Sequence, residues 1–146
     1  TPQQYAAALL FGARNPSQFV SEDVAKTQAE IESVHVQARA LAAKFDVPSD
    51  EFQVSVDEAL LFSNDEVLEK DLLANRADRL IGELMSLATD EEVVAIASKS
   101  IMNRLVTKQE QRVMMKYLKQ RKDRREAAVV QLVWALLTSS EVRFNY

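Results

Sequence analysis

The chain has 146 residues, of which 47% are hydrophobic and 27% charged, and its formal net charge is −4. This length suffices for one domain with a buried core, and the composition excludes an intrinsically disordered chain. The absence of cysteine excludes disulfides and thiolate sites, and two glycines with three prolines are too few turn formers for a many-stranded sheet.

The N-terminal part predicts two helices. The first begins at Pro2, behind Thr1 as the capping residue, and we expect it to end near Ala13. The acid-rich start Ser21–Asp23 predicts a long second helix, because acids in the first turn complement the helix dipole. Pro48 should stop that helix, so residues 1–46 are predicted to form an N-terminal helical pair.

Further helix starts are predicted by four capping boxes, in which Ser, Thr or Asp is followed three residues later by Glu. They are Ser55/Glu58, Thr89/Glu92, Thr107/Glu110 and Asp123/Glu126. Asn64 is another candidate cap, and it opens a helical segment from Asp65 to about Leu87 that should break near Asn75.

The last predicted helix runs from Arg124 to about Ser139 and is apolar on nearly every face between Ala127 and Leu137. Such a helix has to be surrounded by others, so we expect it near the centre with Trp134 as its largest core group. The apolar run is too short to span a bilayer. Together these elements predict an all-α, single-domain, irregular bundle of six to eight helices over residues 1–146.

No motif of known catalytic chemistry is recognisable. His35 is the only histidine, so no histidine pair is present to share a metal. Acid clusters such as Asp90–Glu92 lie at predicted helix starts, where capping explains them. Two isolated glycines cannot build a phosphate-binding loop. We therefore expect no catalytic residue, no metal and no cofactor.

One basic run is a candidate binding segment, since it holds six cations against one acid. Its cations are Lys116, Lys119, Arg121, Lys122, Arg124 and Arg125. Clustered cations of this kind bind phosphates and nucleic acid. The run also crosses a predicted helix C-terminus, where cations favour the dipole, and the acidic chain as a whole disfavours nucleic acid.

The C-terminal stretch Leu132–Tyr146 resembles the pattern Trp-Ala-Leu-Leu-Asn-Ser-x-Glu-Phe-x-Phe-Asn, which closes proteins of the planctomycete "domain of unknown function 1553" family. Residues 59–65 are similar to that family's Ala-Leu-x-Leu-x-Asn segment, and Arg104–Glu110 is similar to its Arg-x-Pro-Thr-x-x-Glu segment. The sequence departs from the pattern at Val106, Thr138 and Val142.

The resemblance covers residues 55–146 and identifies them as a family-like helical core. It implies the C-terminal part of a large exported protein, periplasmic or at the cell surface, with a cytochrome-c-like segment upstream. The start at Thr1, without Met, also leads us to expect a piece of a longer chain or a trimmed product. No Cys-x-x-Cys-His motif occurs here, so no haem is expected. The family's activity is itself unknown.

Three functions remain open. The first is a non-catalytic scaffold or protein-interaction module that docks onto upstream domains of its parent protein or onto another protein. Charge favours it, since residues 1–73 carry 5 basic and 13 acidic side chains and residues 74–146 carry 13 and 9. The second is a phosphate- or nucleic-acid-binding domain that uses Lys116–Arg125. The third is part of an enzyme completed by other domains.

Overall fold

A computed structural model describes residues 2–43 and 70–144 of the chain. Over these ranges the fold is all-α, as predicted, with seven α-helices and two short 3₁₀ helices. They are α1 (Pro2–Ala13), η1 (Pro16–Phe19), α2 (Val24–Ala42), α3 (Leu80–Ser86), α4 (Asp90–Met102), α5 (Lys108–Gln120), η2 (Lys122–Arg124), α6 (Arg125–Leu137) and α7 (Ser140–Phe144). Residues 70–72 are helical too, and the predicted break near Asn75 separates them from α3.

Several predicted helix starts are confirmed. In α4 the Glu92 amide donates to the Thr89 hydroxyl at 3.2 Å, and the Thr89 amide donates to the Glu92 carboxylate at 3.1 Å. Thr107 and Glu110 form the same reciprocal cap on α5, and the Asp23 carboxylate caps α2. The remaining predicted caps and stops lie outside the described residues: Thr1, Pro48, Ser55/Glu58 and Asn64.

The prediction of a fourth capping box at Asp123/Glu126 is wrong. Asp123 lies inside η2, and the cap position of α6 belongs to Arg124, whose side chain makes no capping hydrogen bond. Because Lys122–Arg124 form a 3₁₀ turn, Asp123 does not occupy the cap position that the box requires. Glu126 instead accepts a hydrogen bond at 3.0 Å from the side-chain amide of Asn75.

The core of the described fold lies around α4, which packs against α1, α3, α5, α6 and α7. The buried residues of α4 are Val93, Val94, Ala97, Ser98 and Ile101. Helix α6 packs against α3, α4, α5 and α7, so the apolar C-terminal helix lies near the centre, as predicted.

Trp134 is not the largest core group, and α6 is not surrounded on every face. The Trp134 side chain is only partly buried, whereas the largest fully buried side chains are leucines, an isoleucine and valines. Ala127, Gln131 and Ala135 are exposed. Because residues four apart share a helix face, these three form an outer face of α6 that contains two small apolar residues.

No helix in the described ranges is both long enough and apolar enough to cross a membrane. This agrees with the expectation from the apolar run of α6, which is too short to span a bilayer.

Gly82 permits a close approach between α3 and the preceding link. A Cβ at this position would lie 1.9 Å from the backbone carbonyl oxygen of Arg76. We expect Gly82→Ala to lower the free energy of unfolding by about 2 kcal/mol or more, because the clash outweighs alanine's helix preference of about 1 kcal/mol. Urea unfolding followed by circular dichroism measures this change.

Gly12→Ala is the matched control. Its Cβ would lie 3.0 Å from Cδ2 of Leu137, so the contact is with the end of a side chain and not with backbone. We expect a smaller loss there than at Gly82. An unfolding midpoint for Gly82→Ala equal to that of the unchanged protein would contradict the close backbone approach.

Candidate functional site

An open groove of about 660 Å³ lies beside the first turn of α4. One wall is formed by residues 88–91, and the other by α5, η2 and the first residue of α6. Four of the six cations in the predicted binding segment line it: Lys116, Lys119, Lys122 and Arg125. We call this feature the basic groove.

The turn between α5 and α6 brings these cations together. Lys116 and Lys119 lie one turn apart on α5 and therefore share a face. Past the end of α5, the Arg121 amide donates to the Leu118 carbonyl at 3.1 Å, and the Arg124 amide donates to the Arg121 carbonyl at 3.0 Å. These two hydrogen bonds, each between residues three apart, turn the chain between α5 and α6. Lys122 lies in this turn and lines the basic groove.

The three lysines of the groove are not neutralised by the described part of the chain. Lys116, Lys119 and Lys122 are exposed, and none of them forms an ion pair or a side-chain hydrogen bond with another described residue. Asp90 and Glu91 are the acids of the groove, on the opposite wall, and Met115 supplies apolar surface. The groove therefore presents separated basic and acidic walls.

Arg125 has a structural role in the groove, because its charge is already paired. One guanidinium nitrogen of Arg125 donates to the Asp90 carboxylate, and the two side chains are 32% and 14% exposed. This ion pair ties the start of α6 to the first turn of α4. Because Asp90 already compensates its charge, Arg125 attracts an anionic ligand less than the lysines do.

The structure places the other two predicted cations outside the groove. The Arg121 guanidinium lies 4.0 Å from the ring centroid of Tyr117, a cation–π contact, and the Tyr117 hydroxyl donates to the side chain of Gln131. Arg124 is exposed at the cap of α6 and does not line the groove. Of this contiguous run of cations, four members therefore line the groove, one makes an intramolecular contact and one is exposed outside the groove.

A second polar cluster holds the start of α5 to the C-terminal helix. The Arg104 guanidinium donates to Glu110 at 3.0 Å and to Glu141 at 2.7 Å. The hydrogen bond from Arg104 is the main cause that lowers the pKa of Glu110 to about 2, and it also lowers the pKa of Glu141. The two carboxylates raise the pKa of Arg104. This cluster therefore joins two of the segments that carry the family resemblance, Arg104–Glu110 and Leu132–Tyr146.

A third cluster joins α1 to the link before α3, and nothing in the sequence pattern indicated it. Arg14 and Arg79 form an isolated antiparallel bridge, and both side chains are more than nine-tenths buried. Arg14 pairs with Glu30 at 3.3 Å, and Arg79 pairs with Asp71 at 3.1 Å. Tertiary folding alone brings these residues together, since they come from distant parts of the chain.

His35 lies apart from the basic groove. It is exposed on α2, and its ring meets the ring of Phe11 edge-on at 5.6 Å between centroids. Among the described residues, no group of three histidines or carboxylates is placed to hold a metal ion.

A scan against protein-family models, a search of curated proteins and a search of solved structures each returned no match. The resemblance to the planctomycete family therefore stays a prediction, and the basic groove is the feature that bears on function.

The Arg104 cluster predicts a specific response to acid. The folded pKa of Glu110 is about 2 against an ordinary value of 4.5, so its stabilising effect is full above the unfolded value and is lost as the pH falls toward 2. We expect the unfolding free energy of Glu110→Gln to fall less between pH 4.5 and pH 2 than that of the unchanged protein. Glutamine keeps the capping box, so the change isolates the charge.

Urea unfolding at a series of pH values measures this slope. Glu91→Gln, which removes an exposed acid outside the cluster, is the control. Equal slopes for Glu110→Gln and the unchanged protein would show that the Glu110 charge does not contribute to acid sensitivity.

Proposed function

We propose that this chain is a non-catalytic protein-interaction module that binds an acidic segment of a partner in the basic groove. The observation that carries the proposal is the convergence of three exposed lysines without acidic partners, Lys116, Lys119 and Lys122, on one concave surface. A cleft lined by one sign of charge concentrates oppositely charged ligands and accelerates their encounter.

Several features of the groove favour a protein partner over a phosphate chain. Glu91 on the opposite wall is exposed and can accept hydrogen bonds from peptide N–H groups, which a phosphate backbone does not have, whereas Asp90 is already paired with Arg125. Met115 adds an apolar contact, which suits a peptide side chain. None of the described residues lining the groove is aromatic, so unpaired bases find no ring on which to stack.

The source of the acidic segment follows from the family resemblance. Under that resemblance the chain is the C-terminal part of a larger exported protein, periplasmic or at the cell surface, and its partner is an upstream domain of the same parent. A separate protein with an acidic segment is the other source. Both use the same chemistry, carboxylates against ammonium groups.

The alternative function is phosphate or nucleic-acid binding through the same basic segment. The observation that favours it is again the lysine cluster, because ammonium groups bind phosphate oxygens as well as carboxylates. The two functions differ in which probe binds more tightly, and one experiment separates them.

The test measures the fluorescence anisotropy of labelled poly-L-glutamate and of a labelled oligouridylate titrated with the 146-residue chain. We expect poly-L-glutamate to bind more tightly. We expect Lys116→Glu/Lys119→Glu to raise its Kd at least about tenfold, because two attractive pairs become repulsive. A higher salt concentration should also raise this Kd, because salt screens the attraction between exposed charges.

Lys26→Glu/Lys99→Glu is the matched control, since it changes the net charge equally on exposed positions, and Lys99, like Lys119, lies in the last turn of its helix. We expect its Kd to change less than about twofold. Tighter binding of the oligouridylate would favour the alternative function. Poly-L-glutamate binding that the groove variant and the control weaken equally would contradict the proposal.

A further inference from the structure

Unpaired cations continue along α5 beyond the basic groove. Lys108 and Arg112 are exposed, and neither forms an ion pair with another described residue. Glu110 is the only acid in α5, and Arg104 engages it. The exposed side of α5 therefore carries positive charge without local compensation. We call Lys108, Arg112, Lys116 and Lys119 the basic stripe.

The spacing of the basic stripe places it on one face. Its members follow one another at intervals of four, four and three residues. At about 100° and 1.5 Å per residue, they lie within an arc of about 80° and extend over about 16 Å of the helix. Lys116 and Lys119 line the groove, whereas Lys108 and Arg112 lie closer to the N-terminus of α5.

An exposed apolar side chain borders the stripe. Val113 is 64% exposed and precedes Lys116 by three residues, which places it about 60° further round the helix. The stripe and Val113 together cover about 140° of the surface of α5, a width of about 12 Å. This width is comparable to the diameter of an α-helix with its side chains.

We infer that the partner segment is an acidic α-helix that lies along α5, with carboxylates on the basic stripe and an aliphatic side chain on Val113. The inference rests on the proposed function and specifies the partner's chemistry and length. If a partner helix carries acids at intervals of four, four and three residues, the distances between its carboxylates along the helix axis equal those between the cations of α5. The apolar contact favours a protein helix over a phosphodiester chain.

The probe is a labelled helical peptide of about 16 residues with glutamates at those intervals and a leucine beside them. A second peptide has the same composition with its glutamates distributed round the helix. We expect the patterned peptide to bind about tenfold more tightly. We expect Lys108→Glu/Arg112→Glu to raise its Kd about tenfold and Val113→Ser to raise it about threefold.

The Lys26→Glu/Lys99→Glu protein is again the control, and the circular dichroism of each variant checks that it is folded. If a reversal variant does not fold, Lys108→Ala/Arg112→Ala replaces it, with a smaller rise in Kd expected. Binding that depends on Lys116 and Lys119 but not on Lys108 and Arg112 overturns this inference and leaves the proposed function standing. Binding that depends on neither pair overturns both.

Discussion

The basic groove exists because α4 packs against five other helices. Removing the apolar side chains of α4 from water is the main favourable contribution to this packing. Helices α5 and α6 both pack against α4 and against each other, and the turn between them lies beside the start of α4. That turn carries Lys122, and the Arg125–Asp90 ion pair holds it beside the first turn of α4. The core thus determines where the charges meet.

The parts of the fold that local chemistry decides were predictable from the sequence. The caps at Thr89 and Thr107 are examples, because a cap requires only a side chain and an amide within three residues. Asp123 failed as a cap because the turn from α5 to α6 forms a 3₁₀ helix across it. The burial of Trp134 was also mispredicted, since composition does not reveal which face of a helix its neighbours cover.

The candidate site was predictable in part, and the limit has a physical cause. A search for clustered charge finds Lys116 and Lys119 but weights Arg121 equally, although cation–π stacking on Tyr117 takes it away from the groove. The same search misses Lys108 and Arg112, which are isolated in sequence and join the cluster only through helical spacing. Counting cations along a helix face would have found them.

We propose that the exposed face of α5 and the groove beside it form the binding surface. The most direct measurement is an amide NMR titration of the isotope-labelled chain with poly-L-glutamate, which reports the site without any mutation. We expect the largest shift changes on residues 108–122 and on residues 88–91, with α2 unaffected. Shift changes concentrated on α2, or spread evenly over the chain, would contradict it.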